Sequence, residues 1–509
     1  MLIMSIFLKI DYRFVDEIVC CGDDHDYYLH AETIALDFDF NYDNQFENIE
    51  KIRFINDGKK APKGFVGSGI LSSPFLFIGN IFDKLIVNNS IYNYKILFYS
   101  FSSIFYLFFS IHLMKKTLTL MKIKYNFNLL LLFYLGSGVT YFAFERYSMS
   151  HSYEVFTASL VFYFSAKYYS NDKSNKYAFL IPLSIMLGLL VRWVNYYVIF
   201  LPLVIKLLMR VKRDKILLRE RYFYVSSILS LLIFSFMSYQ IYGVVTFDPQ
   251  FVYQNTYELS GFVNEIFDPF NFIIEKFKFF LIILFSQEFG IFWFSPILFL
   301  STVISFKYFY SRFLDLKFFI PLMFLQVYAI VIIWNSTASS YGFRYLYCLV
   351  PLSILLYFDT TKDNENKIYL NYLIYFSIFS SLSILFFETS EITSLRENIN
   401  SFGSLERFSQ PDYLVGYIKS LASFDSYLKI FTTSFLGALS FKVLLVLLGI
   451  DRLNEILTSL KLPVGNQDFQ DFLIDINRVE TLKIFFTFFI LYLFSSYILK
   501  TQIKASESD

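Results

Sequence analysis

The sequence predicts an all-α, multi-pass membrane protein with about 12–13 transmembrane helices and a long first loop on the outer face. Three observations carry that reading. Of the 509 residues, 56% are hydrophobic and only 17% charged, and the apolar runs are too long and too frequent for a soluble core. Lys and Arg cluster in three loops that fall on one side if the runs alternate across a bilayer. Carboxylates gather on the other side: Asp23, Asp24, Asp26, Glu32, Asp37, Asp39, Asp43, Glu47 and Glu50 follow one another with no Lys or Arg among them.

Taken in order, Met1–Ile10 is shorter than the roughly 20 apolar residues a span requires. It also lacks the charged start and small-residue cleavage site of a signal peptide. Residues 1–21 therefore read as a partial first span, and 22–90 as an outer-face catalytic loop with amphipathic helices. Spans are expected near 91–114, 126–143, 153–169, 177–191, 194–209, 222–242, 289–306, 318–334 and 342–358, which make up a core of 91–358. The C-terminal region, 359–509, adds spans near 368–388, 429–449 and 481–499, with an outer loop at 389–428 and a cytoplasmic loop at 451–480. Residues 277–288 are apolar but short, and read as an interfacial helix.

Orientation follows from the basic loops. Lys115, Lys116, Lys122 and Lys124 lie in one, seven cations from Lys206 to Arg221 in another, and Lys307, Arg312 and Lys317 in a third. The positive-inside tendency makes that side cytoplasmic. Segments 22–50, 144–152, 243–288, 335–341 and 389–428 then face outward. No internal repeat is visible, which weighs against an inverted-repeat transporter. Three Cys, two of them adjacent, give neither a disulfide framework nor metal-ligand spacing. The net charge of +1 identifies no partner, and nothing points to nucleic acid.

Five stretches carry candidate chemistry. In Gly22-Asp23-Asp24-His25-Asp26-Tyr27 the two adjacent carboxylates cannot share one helix face. A turn led by Gly22 would aim one into a cavity, where apolar surroundings raise its pKa toward that of a general base; the plain alternative is a solvated acidic loop. Asp37, Asp39, Asn41 and Asp43 have calcium-loop spacing, but Tyr42 stands where that loop needs Gly and Asn48 where it needs Glu. The same residues also read as a strand alternating Phe and Asp. His151, after Glu145 and Arg146, opens an outer-face span as a packing residue or a cavity group. Arg344, in Tyr341-Gly342-Phe343-Arg344-Tyr345-Leu346, lies about one turn into a span, where it either snorkels to headgroups or grips a phosphate through its planar fork. Arg192 sits in a turn between apolar runs. Lys59, Lys60 and Lys63 precede a small-residue helix from Gly67 to Gly79, and would meet a phosphate or the acidic patch.

These pieces, in this order, resemble the GT-C integral-membrane glycosyltransferases that use a polyprenyl-phosphate sugar, a group that includes protein O-mannosyltransferases, the aminoarabinose transferase of lipid A and bacterial surface-polysaccharide enzymes. Gly22-Asp23-Asp24-His25-Asp26-Tyr27-Tyr28 falls on a first-loop Gly-Asp-Glu-Pro-His-Tyr-Leu pattern, with Asp24 replacing Glu and His25-Asp26 replacing Pro-His. Gly67 to Phe75 with Gly79, Met149-Ser150-His151, Gly188 to Arg192, Phe285 to Pro296, and Ser340 to Leu346 follow the later motifs. The resemblance runs from about residue 15 to 358, and the chain beyond that matches nothing recognisable.

The resemblance implies a sugar transfer from a polyprenyl-phosphate donor to a lipid, glycan or protein hydroxyl on the outer face of a bacterial inner membrane. It implies Asp23 as catalytic base, with Asp24 beside it. His25, Asp26, His151, Arg192, Tyr341 and Arg344 are the expected substrate-binding residues, and Asp24 or His151 would orient the acceptor or a divalent cation. No cofactor is otherwise implied. A lipid-linked oligosaccharide polymerase or ligase, and a non-enzymatic lipid-sugar flippase, are the alternatives.

Overall fold

The computed structural model describes residues 22–46, 55–56, 59–62, 64–86, 94–170, 175–209, 217–247, 269–287, 289–311, 319–334, 341–361, 367–386 and 412–460, with 473, 474, 493 and 497. The expected partial span 1–21, the span 481–499 apart from residues 493 and 497, and most of the outer loop 389–428 lie outside these residues.

The described chain is all-α apart from an antiparallel bridge of Ile55–Asn56 with Lys59–Lys60. Among the described residues two helices, Tyr94–Leu120 and Arg221–Tyr242, are long and apolar enough to cross a membrane. The helices that form the first half are α1 (Gly22–Glu32), α2 (Gly67–Ile86), α3 (Tyr94–Leu120), α4 (Phe127–Leu135), α5 (Val139–Phe144), α6 (His151–Ser170), α7 (Asn175–Val191), α8 (Leu201–Leu208) and α9 (Arg221–Tyr242). The second half contains α10 (Pro269–Phe285), α11 (Ile291–Phe294), α12 (Pro296–Ser311), α13 (Phe319–Trp334), α14 (Val350–Thr361), α15 (Lys367–Phe386), α16 (Asp412–Ala422), α17 (Phe424–Thr433), α18 (Phe435–Leu448) and α19 (Ile450–Ser459).

Among the described residues helices occur where spans were expected, but several are broken. The run 126–143 divides at Gly136-Ser137-Gly138, where a Cβ on Gly138 would lie 1.8 Å from the Tyr347 hydroxyl. The run 289–306 restarts at Pro296, a residue whose missing N–H costs nothing at the first helical position. The run 429–449 divides at Ser434, which caps α18 by accepting from the Gly437 N–H. Runs 194–209 and 342–358 both begin as 3₁₀ helix, at Trp193–Phe200 and Arg344–Leu349. The segment expected as an interfacial helix at 277–288 is the end of the longer α10, whose Phe279, Ile282 and Ile283 are buried. Hydropathy counts apolar residues; it does not register where a side chain from elsewhere must approach the backbone.

Helix α6 is the centre of the first half and is buried nearly all round, so its apolar residues show no one-sided stripe. Small hydroxyl residues join it to α3: Ser102 Oγ lies 2.6 Å from the Tyr153 hydroxyl and Ser110 Oγ 2.7 Å from Ser159 Oγ. Helix α2 packs through its glycines. A Cβ on Gly67 would meet the Leu190 carbonyl carbon at 2.4 Å, one on Gly69 would meet His30 Cβ at 2.5 Å, and one on Gly79 the Tyr94 oxygen at 2.4 Å. Asp83 then accepts from the N–H groups of Tyr94 (2.7 Å) and Lys95 (3.1 Å), satisfying donors at the start of α3.

Among the described residues, the acidic α1 and the lysines at the end of α3 lie at opposite ends. Asp24, Tyr28 and Ser148 gather around Tyr99 at the start of α3. Lys115 and Lys116 lie near the other end of that 27-residue helix, which rises about 40 Å. Tyr168, at the far end of α6, donates to Glu220 (3.0 Å) just before α9, while Lys59 donates to the carbonyls of Tyr239 and Gln240 where α9 ends.

Candidate active site

Asp23 and Asp24 occupy the first turn of α1, not a turn led by Gly22, and the helix N-terminus favours negative charge there. Successive helix residues point about 100° apart. That separation sends the two carboxylates to different cations. Asp24, buried, forms an ion pair with Arg146, and Ser148 Oγ donates to its main-chain oxygen. Asp23, 31% exposed at its side chain, lies 3.4 Å from Arg344 Nη2. Burial pushes the Asp24 carboxyl up from 3.8 to about 6, against the opposing pull of Arg146. The expected carboxyl with a raised pKa is therefore Asp24. Tyr27, four residues after Asp23 and on its face, reaches Ser150 and Arg192.

A second group adjoins this one. Glu154, fully enclosed one turn into α6, receives Arg192 Nη1 at 3.0 Å, Ser150 Oγ at 2.8 Å and His151 Nδ1 at 3.2 Å. Arg192 stands in extended conformation between α7 and the following 3₁₀ turn, which lets its side chain leave both helices. Its guanidinium carbon lies 4.4 Å from the centre of the Tyr345 ring, and that of Arg344 lies 5.2 Å from the same ring. Gly342, at φ +57°, makes the turn that precedes Arg344; a Cβ there would also meet the Tyr347 hydroxyl at 2.1 Å.

Four buried polar atoms in this constellation have no hydrogen-bond partner among the described residues: Asp24 Oδ1, Arg146 Nε, Glu154 Oε2 and Arg344 Nε. The remaining Arg344 contacts are long, at 3.4 Å to Asp23, 3.4 Å to the Tyr345 hydroxyl and 4.0 Å to Met149 Sδ. A buried donor or acceptor left unsatisfied costs about 1–3 kcal/mol. Two guanidinium donors and two carboxylate acceptors thus remain to be satisfied in one place.

Of the residues expected from sequence, Asp23, Asp24, His151, Arg192 and Arg344 come together. His25 is exposed on α1, and Asp26 is buried about 200° round that helix from Asp24. Tyr341 is a packing residue: its hydroxyl donates to the Ser380 oxygen at 3.0 Å and its ring stacks on Tyr141. Sequence reading missed Glu154 altogether and gave no role to Arg146 or Tyr345. The usable signal for Glu154 was a carboxylate three residues after His151 inside an apolar helix, which requires a partner.

The calcium-type spacing resolves into a turn that bonds to itself. Asp37 accepts from Asn44 and Gln45, Asp39 accepts from Thr33 and the Asn41 N–H, and Phe38 is left-handed at φ 61°, so the segment is not a strand. Lys60 lies 3.9 Å from Asp43, and an open groove of about 540 Å³ runs between this turn, Lys59 and Phe236. Among the described residues no three His, Cys, Asp or Glu side chains converge to hold a metal. Asp24 and His151 do not fit a divalent cation, since Asp24 faces Arg146 and the His151 nitrogen shares Glu154 with Arg192. No protein-family model matches the chain, and neither curated proteins nor solved structures give a significant match.

Proposed function

We propose that the chain is a multi-pass membrane glycosyltransferase that moves a sugar from a polyprenyl-phosphate donor to a hydroxyl of a lipid, glycan or protein at the outer face. The observation that carries this reading is the half-satisfied Arg344 guanidinium, with its partnerless Nε, set 3.4 Å from the partly exposed Asp23 carboxylate. A phosphate oxygen satisfies the first and an acceptor hydroxyl meets the second. In this reaction the acceptor O–H gives its proton to Asp23 while its oxygen bonds to the anomeric carbon. The bond from that carbon to the phosphate oxygen breaks with its electron pair going to the phosphate, and Arg344 stabilises the charge left there. Asp24, tied to Arg146, fixes the first turn of α1 on which Asp23 stands.

The pattern of ion pairs supports a single phosphate. Arg146 and Arg192 are held by the buried carboxylates of Asp24 and Glu154, whereas Arg344 is held by the partly exposed Asp23 at 3.4 Å, so Arg344 is the guanidinium that turns most readily to a ligand. A diphosphate-linked donor, as a polymerase or ligase would use, calls for a second loosely held cation, and among the described residues Arg344 is the arginine of this group held by the longest ion pair. The separation of acidic and basic ends supports the outward orientation. The test uses the full chain purified into nanodiscs and decaprenyl-phosphate-linked hexoses and pentoses, with release of decaprenyl phosphate as the readout. Release from at least one sugar with a hydroxyl acceptor is expected. Equal binding of decaprenol and decaprenyl phosphate, with no release from any donor, overturns the reading.

A further inference from the structure

We propose that Tyr345 is the platform that sets the Arg344 guanidinium for its anion, and that Arg192, anchored on Glu154, is the brace that holds the platform; the inference rests on the phosphate-binding reading above. Two guanidiniums lie against one ring, at 4.4 and 5.2 Å. Two like charges do not come this close without cause. The causes are visible. Glu154 cancels the charge of Arg192 through a 3.0 Å bond in a fully enclosed position, and the electron-rich ring attracts both cations. Ser150 and His151 hold the same Glu154 oxygen, so the brace is fixed on the first turn of α6.

Arg344 has no comparably short bond of its own. Its position comes from the ring beside it, while its donors stay under-satisfied and free to turn to a phosphate. A guanidinium locked into a short carboxylate pair would bind an anion only by breaking that pair. One resting on a ring keeps its orientation without spending its N–H groups. Glu154, Arg192 and Tyr345 are thus positioning residues that act through Arg344.

The test is a double-mutant cycle on decaprenyl phosphate binding to the full chain in nanodiscs, with decaprenol as the neutral control. Tyr345→Phe keeps the ring and should bind within about threefold of wild type. Tyr345→Leu removes the ring and should weaken phosphate binding about tenfold, with decaprenol unchanged. Arg192→Lys should weaken it about fivefold, and the double variant should be no weaker than Tyr345→Leu alone, because the brace acts only through the ring. Independent multiplication of the two losses, or wild-type phosphate binding by Tyr345→Leu, overturns the proposal. So does a Tyr345→Phe variant as weak as Tyr345→Leu. A second readout needs no ligand: the Nε–H proton resonances of Arg192 and Arg344 should be shifted upfield by the ring in wild type and Tyr345→Phe, and not in Tyr345→Leu. If wild type does not distinguish phosphate from alcohol, the functional reading fails, and the resonances alone decide whether the platform exists.

Discussion

Asp23 and Asp24 are adjacent in the chain, yet helix geometry gives them different partners and different chemistry. Asp23→Asn keeps the shape and removes the proton acceptor, so transfer should fall by at least roughly a hundredfold while phosphate binding persists. Retained transfer would move the base elsewhere. Arg344→Lys keeps a charge but loses the planar fork. It should weaken decaprenyl phosphate by about 1–2 kcal/mol, measured in the same nanodisc titration, whereas a merely snorkelling Arg would tolerate Lys. Asp24 makes a prediction in pH. Its folded pKa is about 6 against an unfolded 3.8, so the folded state holds the proton more tightly and wild type loses stability as pH rises through that window. Buried His30, lowered to about 4, acts in the opposite sense over an overlapping range. The comparison must therefore be a difference. Asp24→Asn should gain on wild type by up to about 1.4 kcal/mol per pH unit between pH 4 and 6, read from unfolding midpoints. A constant difference would mean that Asp24 titrates normally.

At the scale of elements, α2 decides where α1 sits. The Gly67, Gly69 and Gly79 positions admit the end of α7, the His30 turn of α1 and the start of α3 at distances that no side chain allows. His30 then ties α1 down, with its ring nitrogens 2.7 Å from the Tyr42 hydroxyl and 3.2 Å from the Gly64 oxygen. Gly69→Ala should push α1 away and cost about 1–3 kcal/mol. Because Asp23 and Asp24 ride on α1, transfer should fall along with stability. The measurement is thermal unfolding paired with turnover. A variant as stable and active as wild type would show that α1 is not positioned by this contact.

At the scale of the whole molecule, the acidic α1 with its arginine partners lies at one end of α3 and α6, and among the described residues Lys115, Lys116 and Glu220 lie toward the other. With Cys20, Cys21 and Cys348 replaced by Ser, a cysteine at Asn41 should react with an impermeant maleimide from outside intact cells, and one at Lys122 should react only after lysis. Both positions are solvent-exposed, so access decides the result. The reverse pattern would place the carboxylates on the cytoplasmic side and remove the outer-face reading.

Composition and apolar periodicity by themselves determined that the chain is helical, roughly where its helices lie, and that Asp23, His151, Arg192 and Arg344 are chemically out of place in so apolar a chain. A charge beside apolar sequence needs a partner, and that requirement can be read without coordinates. Which partner it finds cannot. Arg146 meets Asp24 across 122 residues and Arg344 meets Asp23 across 321, so only the packed fold could assign them. The same holds for the interruptions at Gly136-Ser137-Gly138 and Ser434. They follow from close approach between distant segments or from a local cap, and an average over apolar windows is blind to both. Tyr341 precedes the left-handed Gly342, and Tyr345 lies in the first turn of the 3₁₀ helix that follows. From the sequence Tyr341 was the expected ligand contact and Tyr345 had no role, whereas the tertiary structure packs Tyr341 against Ser380 and sets Tyr345 against two guanidiniums.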